Sequence, residues 1–123
     1  MIAGVGTDMT EISRIARAVG NPRLMDRLFT QKEQALWRAR GENAAVLAGC
    51  FAAKEAVVKA LGTGFTGFWP NEIEILRGDK GEPFAVLHGK ANEIAGERGI
   101  ERLHVSITNT EAYAFAFAVA ERV

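Results

Sequence analysis

The sequence predicts an α+β fold, with antiparallel strands packed on one long helix in a single compact domain over residues 1–123. Three observations favour this class. Residues 44–61 carry alanine and valine at helical spacing, which predicts a long helix. Two alternating runs flank a Gly-Asp-Lys-Gly sequence, as in a β-hairpin. The last run alternates aromatic residues with alanines, as a strand does.

The first third of the chain predicts one strand and three short helices. They are a strand over 2–7 ending near Asp8, a helix through Ile15 and Val19, a helix over 23–28, and a helix through Leu36 and Trp37. Thr10 or Ser13 is expected to cap the first helix. Thr30 and Glu33 have the T-x-x-E spacing of a capping box for the third.

The remainder predicts the long helix, a hairpin, one more helix and two strands. They are a helix over 44–61, an aromatic loop over 65–70, strands over 72–76 and after Pro83, a helix over 90–98, and strands over 103–108 and 113–119. In the last strand, Tyr113, Phe115, Phe117 and Val119 share one face and alanines the other. An alanine face indicates very close packing, against a helix or a second subunit.

The long helix also carries candidate functional groups. Its small apolar stripe includes Ala53, Ala56 and Ala60, whereas Glu55 and Lys59 lie one turn apart and away from it. A glycine-rich turn follows, where a ligand can approach the backbone. This arrangement suits a phosphate ester bound through a metal ion. The alternative is an ordinary Glu–Lys pair at i,i+4 spacing.

The amino-acid composition limits the classes of protein to which this chain can belong. Cys50 is the only cysteine, which excludes an intrachain disulfide and a cysteine-rich zinc site and fits a reducing cytoplasm. No signal peptide or membrane-spanning run is evident, so we expect a soluble cytoplasmic protein without membrane contact. The net charge is zero, yet residues 12–40 carry seven basic against two acidic residues. That segment suggests an acidic partner; nucleic acid is the weaker alternative, with only Phe29 and Trp37 available for stacking.

Three segments in register resemble the holo-acyl-carrier-protein synthases, which are 4′-phosphopantetheinyl transferases. The segments are Gly4-Val5-Gly6-Thr7-Asp8 with Glu11 and Arg14-Ile15, then Phe51 through Gly64, then Val105-Ser106-Ile107-Thr108 leading to Tyr113-Ala114. Their order, their spacing and the chain length agree with that family, so the resemblance spans the chain. It implies the 4′-phosphopantetheinyl transferase fold.

The resemblance implies a reaction and its machinery. Such enzymes move the phosphopantetheine arm of coenzyme A onto a serine of an acyl carrier protein and release adenosine 3′,5′-bisphosphate. Asp8 and Glu55 match the family's ligands of Mg²⁺, which usually takes one or two carboxylates together with substrate phosphates. Lys59 would stabilise charge on the leaving group, and Glu55 is the first candidate for the base that activates the serine.

The resemblance also implies binding residues and an assembly. Coenzyme A is expected to contact Phe51, Lys59, Gly62, Thr63, Gly64, Pro83, Ser106, Thr108 and Asn109. Gly62 to Gly64 also fit a helix C-cap, and Ser106 and Thr108 could instead satisfy backbone groups. Arg14 matches a carrier-binding arginine, and Arg17 extends it by charge alone. Lys54 is expected to be structural or to face the carrier. The family is typically a homotrimer with active sites between subunits.

Three positions depart from the family pattern. Cys50 stands where arginine is common, Glu82 where lysine is common, and Asn109 where histidine is common. Each charge-assisted phosphate contact that is lost costs roughly 1.5–3 kcal/mol. We therefore expect activity with weakened coenzyme A binding. A binding module for the carrier or a nucleotide, without transfer activity, is the alternative.

Overall fold

Two antiparallel sheets and five helices make up the computed structural model, which describes residues 1–123. The elements in order are β1 (Ile2–Glu11), α1 (Ile12–Ala18), α2 (Pro22–Leu28), α3 (Gln31–Ala39), α4 (Ala44–Leu61), β2 (Ile73–Arg77), β3 (Pro83–Leu87), α5 (Gly89–Glu97), β4 (Ile100–Asn109) and β5 (Tyr113–Arg122). The α+β class with antiparallel strands is confirmed. None of the helices combines the length and hydropathy that crossing a membrane requires.

Helix α4 packs on one face of a three-stranded sheet with the order β1-β5-β4. The alanines of β5 that face it are at most 5% exposed. A Cβ atom added to Gly4 or Gly6 would lie 2.1 or 2.0 Å from the carbonyl oxygen of Ala60 or Ala56. Glycine in β1 and alanine in β5 thus let the helix lie very close to the sheet. The alanine face packs on a helix of the same chain, so its suggested use between subunits is wrong.

The bounds of α4 agree with the sequence prediction. Asn43 caps its first turn, since its side-chain oxygen accepts the N–H of Ala45 at 3.0 Å. The helix ends at Gly62, which takes the left-handed conformation with φ of 84°. Alanine, valine and leucine fill the faces between these ends, and Ala53, Ala56, Val57 and Ala60 are all at most 4% exposed.

Strands β2 and β3 form the predicted hairpin as a separate two-stranded sheet. Gly78 closes its turn by donating its N–H to the carbonyl of Glu82 at 2.8 Å. The predicted capping box of Thr30 and Glu33 begins α3. The second oxygen of Glu33 accepts the N–H of Ile75 at 2.7 Å, so α3 is fastened along β2.

A fully buried ion pair joins these elements to α4. Lys54 Nζ donates to Glu33 Oε1 at 2.8 Å and to the carbonyls of Pro70 and Ile73. Neither charged side chain is exposed at all. The structural role expected for Lys54 is confirmed, and its burial excludes a carrier-facing role.

The prediction for the end of β1 is wrong. The strand continues to Glu11, because its pairing with β5 continues to Tyr113. Helix α1 follows at once, and Ile12 donates its N–H to the carbonyl of Ala112 at 2.9 Å. Neither Thr10 nor Ser13 caps this helix. Asp8 therefore lies within the strand, where the sheet fixes its position.

Candidate active site

Asp8 and Glu55 approach each other where β1 crosses α4. The crossing is antiparallel, since Gly4 meets Ala60 and Gly6 meets Ala56. Asp8, two residues further along the same face of β1, lies beside the preceding turn of α4. Burial raises the pKa of Glu55, and the negative charge of Asp8 raises it further, whereas Lys59 and Arg14 oppose the rise. The structure thus brings together the two carboxylates.

Lys59 lies beside this pair with its ammonium group half exposed. Its Nζ donates to the carbonyl of Thr7 at 2.8 Å and lies 3.7 Å from Asp8 Oδ1. It forms no ion pair with Glu55 within 4.0 Å, so the ordinary i,i+4 pair is not what positions it. Because an ammonium has three donors, Lys59 retains donors for a ligand in the cleft.

Thr10 fixes the orientation of Asp8. Its hydroxyl donates to Asp8 Oδ2 at 2.8 Å, and Thr10 is only 3% exposed. Sequence reasoning missed this contact because it ended β1 before Thr10. The two-residue spacing of Asp8 and Thr10 could have indicated the contact, since residues i and i+2 of a strand lie on one face.

A cleft of about 390 Å³ opens beside Asp8 and Lys59. Two cross-strand rows form its floor: Thr7, Phe117 and Ser106, then Met9, Phe115 and Thr108. The predicted hydroxyls of Ser106 and Thr108 are therefore in the same cleft as the acid and the lysine. The sequence did not predict the other residues of these rows as part of the site. They are identified only by the strand register, and they are Thr7, Met9, Phe115 and Phe117.

The glycine-rich turn after α4 is a helix cap. Gly62 donates its N–H to the carbonyl of Val58 at 3.0 Å, and Arg98 Nη1 donates to the carbonyl of Leu61 at 2.8 Å. Gly64 also has a positive φ, of 65°. The C-cap interpretation is confirmed, and the role of this turn in coenzyme A binding stays a prediction.

Other predicted contacts lie outside this cleft. Phe51 lines a separate apolar cavity of about 570 Å³ with Leu28, Phe65, Gly67, Phe68, Trp69, Pro70 and Glu72. Pro83 begins β3 in the hairpin sheet, and Asn109 ends β4, where its amide donates to the carbonyl of Thr110 at 3.2 Å. A single chain therefore does not join all the predicted coenzyme A residues in one site.

The predicted carrier-binding arginines are exposed on α1. Arg14 lies close enough to the acidic pair for its charge to lower the pKa of Glu55 against the effect of burial. Arg17 is exposed one turn closer to the end of α1. On α2, the Arg27 guanidinium lies 4.7 Å from the ring centre of Trp69, at the apolar cavity. A basic side chain thus lies near the acidic pair, and another lies at the apolar cavity.

The donor set fits a hard divalent cation. The Asp8 and Glu55 carboxylates are close enough for the charge of Asp8 to raise the pKa of Glu55, and no cluster of three or more His, Cys, Asp or Glu surrounds them. Mg²⁺ suits such an incomplete set because it takes one or two protein carboxylates and completes its shell with water and phosphate. Asp8 and Glu55 would hold it, and its charge would offset their mutual repulsion.

Comparisons with known proteins agree with this architecture. A family profile of the 4'-phosphopantetheinyl transferase superfamily matches residues 4–118. The chain is 45% identical over 121 residues to the holo-acyl-carrier-protein synthase of Lachnoclostridium phytofermentans, covering 98% of this chain and 97% of that protein.

Solved structures show the same similarity. The synthase of Neisseria meningitidis superposes with a TM-score of 0.88 at 35% identity, covering 99% and 100% of the two chains. That of Helicobacter pylori, solved in complex with coenzyme A, gives 0.83 at 28% identity, covering 95% and 99%. The chain belongs to the 4'-phosphopantetheinyl transferase superfamily.

Proposed function

We propose that this protein is a holo-acyl-carrier-protein synthase that transfers the 4′-phosphopantetheine arm of coenzyme A to a serine of apo-acyl carrier protein. The observation that carries the proposal is the pairing of Asp8 with Glu55 beside Lys59 and the hydroxyl-lined cleft. Relatives that carry this name are similar over nearly the whole chain. The second product is adenosine 3′,5′-bisphosphate.

The side chains of the site have separate roles in the transfer. Asp8 and Glu55 would hold Mg²⁺, which would supply positive charge to offset that of the diphosphate. The serine oxygen forms a bond to the β-phosphorus while the bond from that phosphorus to the bridging oxygen breaks. Glu55, directly or through a metal-bound water, is the first candidate to accept the serine proton. Lys59 donates to the oxygen on which charge develops.

The carrier binds beside this site through opposite charge. Arg14 and Arg17 are exposed on α1, and the segment over residues 12–40 is strongly basic. An acidic carrier would therefore be attracted to the face that bears the acidic pair and its metal. The absence of disulfides fits action in a reducing cytoplasm.

The active protein is a homotrimer with sites between subunits. The outer face of the three-stranded sheet exposes Val5 at 55%, Met9 at 58% and Phe117 at 45%. Such an apolar face favours burial against a neighbour. Assembly would also let a second chain supply the contacts of Phe51, Pro83 and Asn109, which lie outside the cleft of one chain.

A transfer assay tests the function. Purified protein is mixed with apo-acyl carrier protein, coenzyme A and Mg²⁺, and the carrier is weighed by mass spectrometry. We expect the carrier to gain the mass of one phosphopantetheine group. No gain under any divalent metal would contradict the proposal.

A module that binds without transfer is the second candidate. It is favoured by three positions at which the family commonly has basic residues and this chain does not. Cys50 is buried, the Glu82 carboxylate accepts an N–H of the hairpin turn, and the Asn109 amide donates to the adjacent carbonyl. Titration calorimetry with coenzyme A separates the two, because binding without any product in the mass assay would favour this candidate.

A further inference from the structure

The Lys59 side chain is fixed at its base and free at its end. A Cβ atom added to Gly6 would lie 2.8 Å from the Lys59 Cβ, so the lysine starts directly against the backbone of β1. The ammonium makes one hydrogen bond, to the carbonyl of Thr7, and 55% of the side chain is exposed. Because lysine has a flexible four-carbon stem, its ammonium can exchange this position for another in the cleft.

One carboxylate oxygen of Asp8 is held by a protein donor, and the other faces a cation. The Thr10 hydroxyl donates to Oδ2 at 2.8 Å, whereas no hydrogen bond reaches Oδ1. Lys59 Nζ lies 3.7 Å from Oδ1, within the range of an ion pair. The ammonium therefore lies beside the oxygen that remains for a metal ion.

The charge of Lys59 acts on the second carboxylate as well. Burial and the charge of Asp8 raise the pKa of Glu55, and the charge of Lys59 opposes that rise more strongly than the charge of Arg14 does. The ammonium thus offsets part of the repulsion between the two carboxylates. A metal ion bound by both carboxylates would act on the same repulsion, so the two cations compete for one pair of acids.

A metal ion on this pair would be repelled by the ammonium. A bond from magnesium to oxygen is about 2 Å long, so an ion on Asp8 Oδ1 would lie within about 6 Å of Lys59 Nζ unless the lysine moved. In a solvated cleft, this repulsion lowers the affinity for a divalent ion by roughly tenfold. A diphosphate relieves the repulsion, because its oxygens accept from the ammonium and also complete the shell of the ion.

We propose that Lys59 couples the binding of Mg²⁺ to the diphosphate of coenzyme A, so that the site takes up the ion together with the diphosphate and binds the ion alone only weakly. This inference rests on the proposed function, which supplies the metal and the diphosphate. The ammonium moves from Asp8 to the diphosphate, and both carboxylates are then left to the ion. Lys59 lines the same cleft as Ser106 and Thr108, so it stays within that cleft as it moves.

Titration calorimetry with Mg²⁺ alone tests the repulsion in the absence of coenzyme A and carrier. Lys59→Met should bind the ion roughly tenfold more tightly than the wild type, because the competing charge is gone. Lys59→Arg keeps the charge, so its affinity should stay close to that of the wild type. Equal affinities of the wild type and Lys59→Met, or no measurable binding to either, would overturn the inference.

Two control variants show where the ion binds and whether the effect is local. Lys90→Met makes the same change of charge at an exposed position of α5 and should leave the affinity for Mg²⁺ unchanged. Glu55→Gln added to Lys59→Met should abolish the gained affinity, because one of the two carboxylates is lost. A gain in Lys90→Met as large as in Lys59→Met, or a gain that survives Glu55→Gln, would also overturn the inference.

The same titration in saturating coenzyme A measures the coupling. No acceptor serine is present without the carrier, so the complex is at equilibrium. Coenzyme A should increase the Mg²⁺ affinity of the wild type roughly tenfold more than that of Lys59→Met, because only in the wild type does it also draw the ammonium away. Equal increases in the two proteins would contradict the coupling.

The Mg²⁺ titration and the transfer assay separate the two proposals. Tighter Mg²⁺ binding by Lys59→Met supports the competition even if the wild type forms no product, an outcome that would count against the proposed function alone. Conversely, an active wild type whose Mg²⁺ affinity is the same as that of Lys59→Met would support the proposed function and refute the competition.

Discussion

The ionised Glu55 side chain lowers the stability of the protein when no metal is bound. Its pKa is raised by burial and by Asp8, so the charged form is disfavoured on folding. The cost is present above the raised pKa and disappears as pH falls through it. Glu55→Gln should therefore melt at a higher temperature than the wild type at neutral pH while losing at least 100-fold in transfer rate.

Calorimetric melting with and without Mg²⁺ measures this effect. The wild type should gain stability with the ion, and Glu55→Gln should not. Glu93→Gln, an exposed helix position, is the control and should change stability by less than about 0.5 kcal/mol. If Glu55→Gln melts at a lower temperature than the wild type, the ionised Glu55 carboxylate does not destabilise the metal-free protein.

Glu82 should weaken coenzyme A binding by repulsion. Its carboxylate lies at the hairpin turn, where it accepts the N–H of Lys80 and lies against Gly78. Glu82→Lys replaces a charge that repels phosphate by one that attracts it, so the KM for coenzyme A should fall by roughly tenfold. Asp79→Lys makes the same change of charge in the same turn and should have a much smaller effect. Equal effects of the two variants would indicate long-range attraction instead of a local contact.

The sequence predicted the reacting residues better than the residues that hold them in position. Asp8, Glu55 and Lys59 stand at motif positions, and the structure does bring them together. The hydroxyl of Thr10 that holds Asp8 was predicted to cap a helix instead. Both uses suit a threonine, and only the length of the strand, set by pairing with a distant strand, decides between them.

The close contact of β1 with α4 places Asp8 beside Glu55. A Cβ at Gly6 would lie 2.0 Å from the carbonyl oxygen of Ala56, which belongs to the helix backbone and cannot move aside. Gly6→Ala should therefore destabilise the protein by about 2–4 kcal/mol and lower transfer, because it pushes the strand off the helix.

Urea unfolding measures the change, and Gly96→Ala is the matched control. Gly96 lies in α5 with nothing within 4 Å of an added Cβ, so alanine there should stabilise by about 0.5–1 kcal/mol. The account predicts opposite signs for the two substitutions. A neutral Gly6→Ala would mean that the strand and helix can separate at no cost.

The Glu33–Lys54 pair fastens three elements, and removing one partner should be severe. Lys54→Met leaves a buried carboxylate without its ammonium and should cost about 3–5 kcal/mol in urea unfolding. The double variant with Glu33→Leu should recover part of that loss, since no charge is then buried alone. A Lys54→Met cost under about 1 kcal/mol would contradict the importance of the pair.

The elements themselves were predictable where local signals are strong. The bounds of α4, the hairpin and the capping box agree with the sequence because caps, glycines and alternation lie next to each other in the chain. The reach of Lys54 to Glu33 joins residues 21 positions apart and has no local signal. Tertiary contacts of this kind need the fold.

At the scale of the whole molecule, the exposed face of the three-stranded sheet should hold the subunits together. Val5→Asp places a charge on that face, where Val5 is 55% exposed, and should shift a trimer towards monomer with loss of transfer. Sedimentation measures the state. Val123→Asp, at an exposed terminal residue, should leave the assembly intact. A fully active monomer would contradict a site shared between chains.

The family and the α+β class were predictable from three separated segments, and the comparisons confirm both. The spread of the expected coenzyme A residues over more than one cleft was not predictable. Phe51 is one helical turn from Glu55, yet it lines the apolar cavity, and Pro83 belongs to a sheet separate from the one that carries Asp8. Sequence proximity does not fix which surface a residue faces.

The most direct test is a crystal structure of the protein with coenzyme A and Mg²⁺. The account predicts one ion bound by the carboxylates of Asp8 and Glu55 and by oxygens of the diphosphate, with the Lys59 ammonium on the same diphosphate. An ion bound without either carboxylate, or a diphosphate that lies away from both, would contradict it.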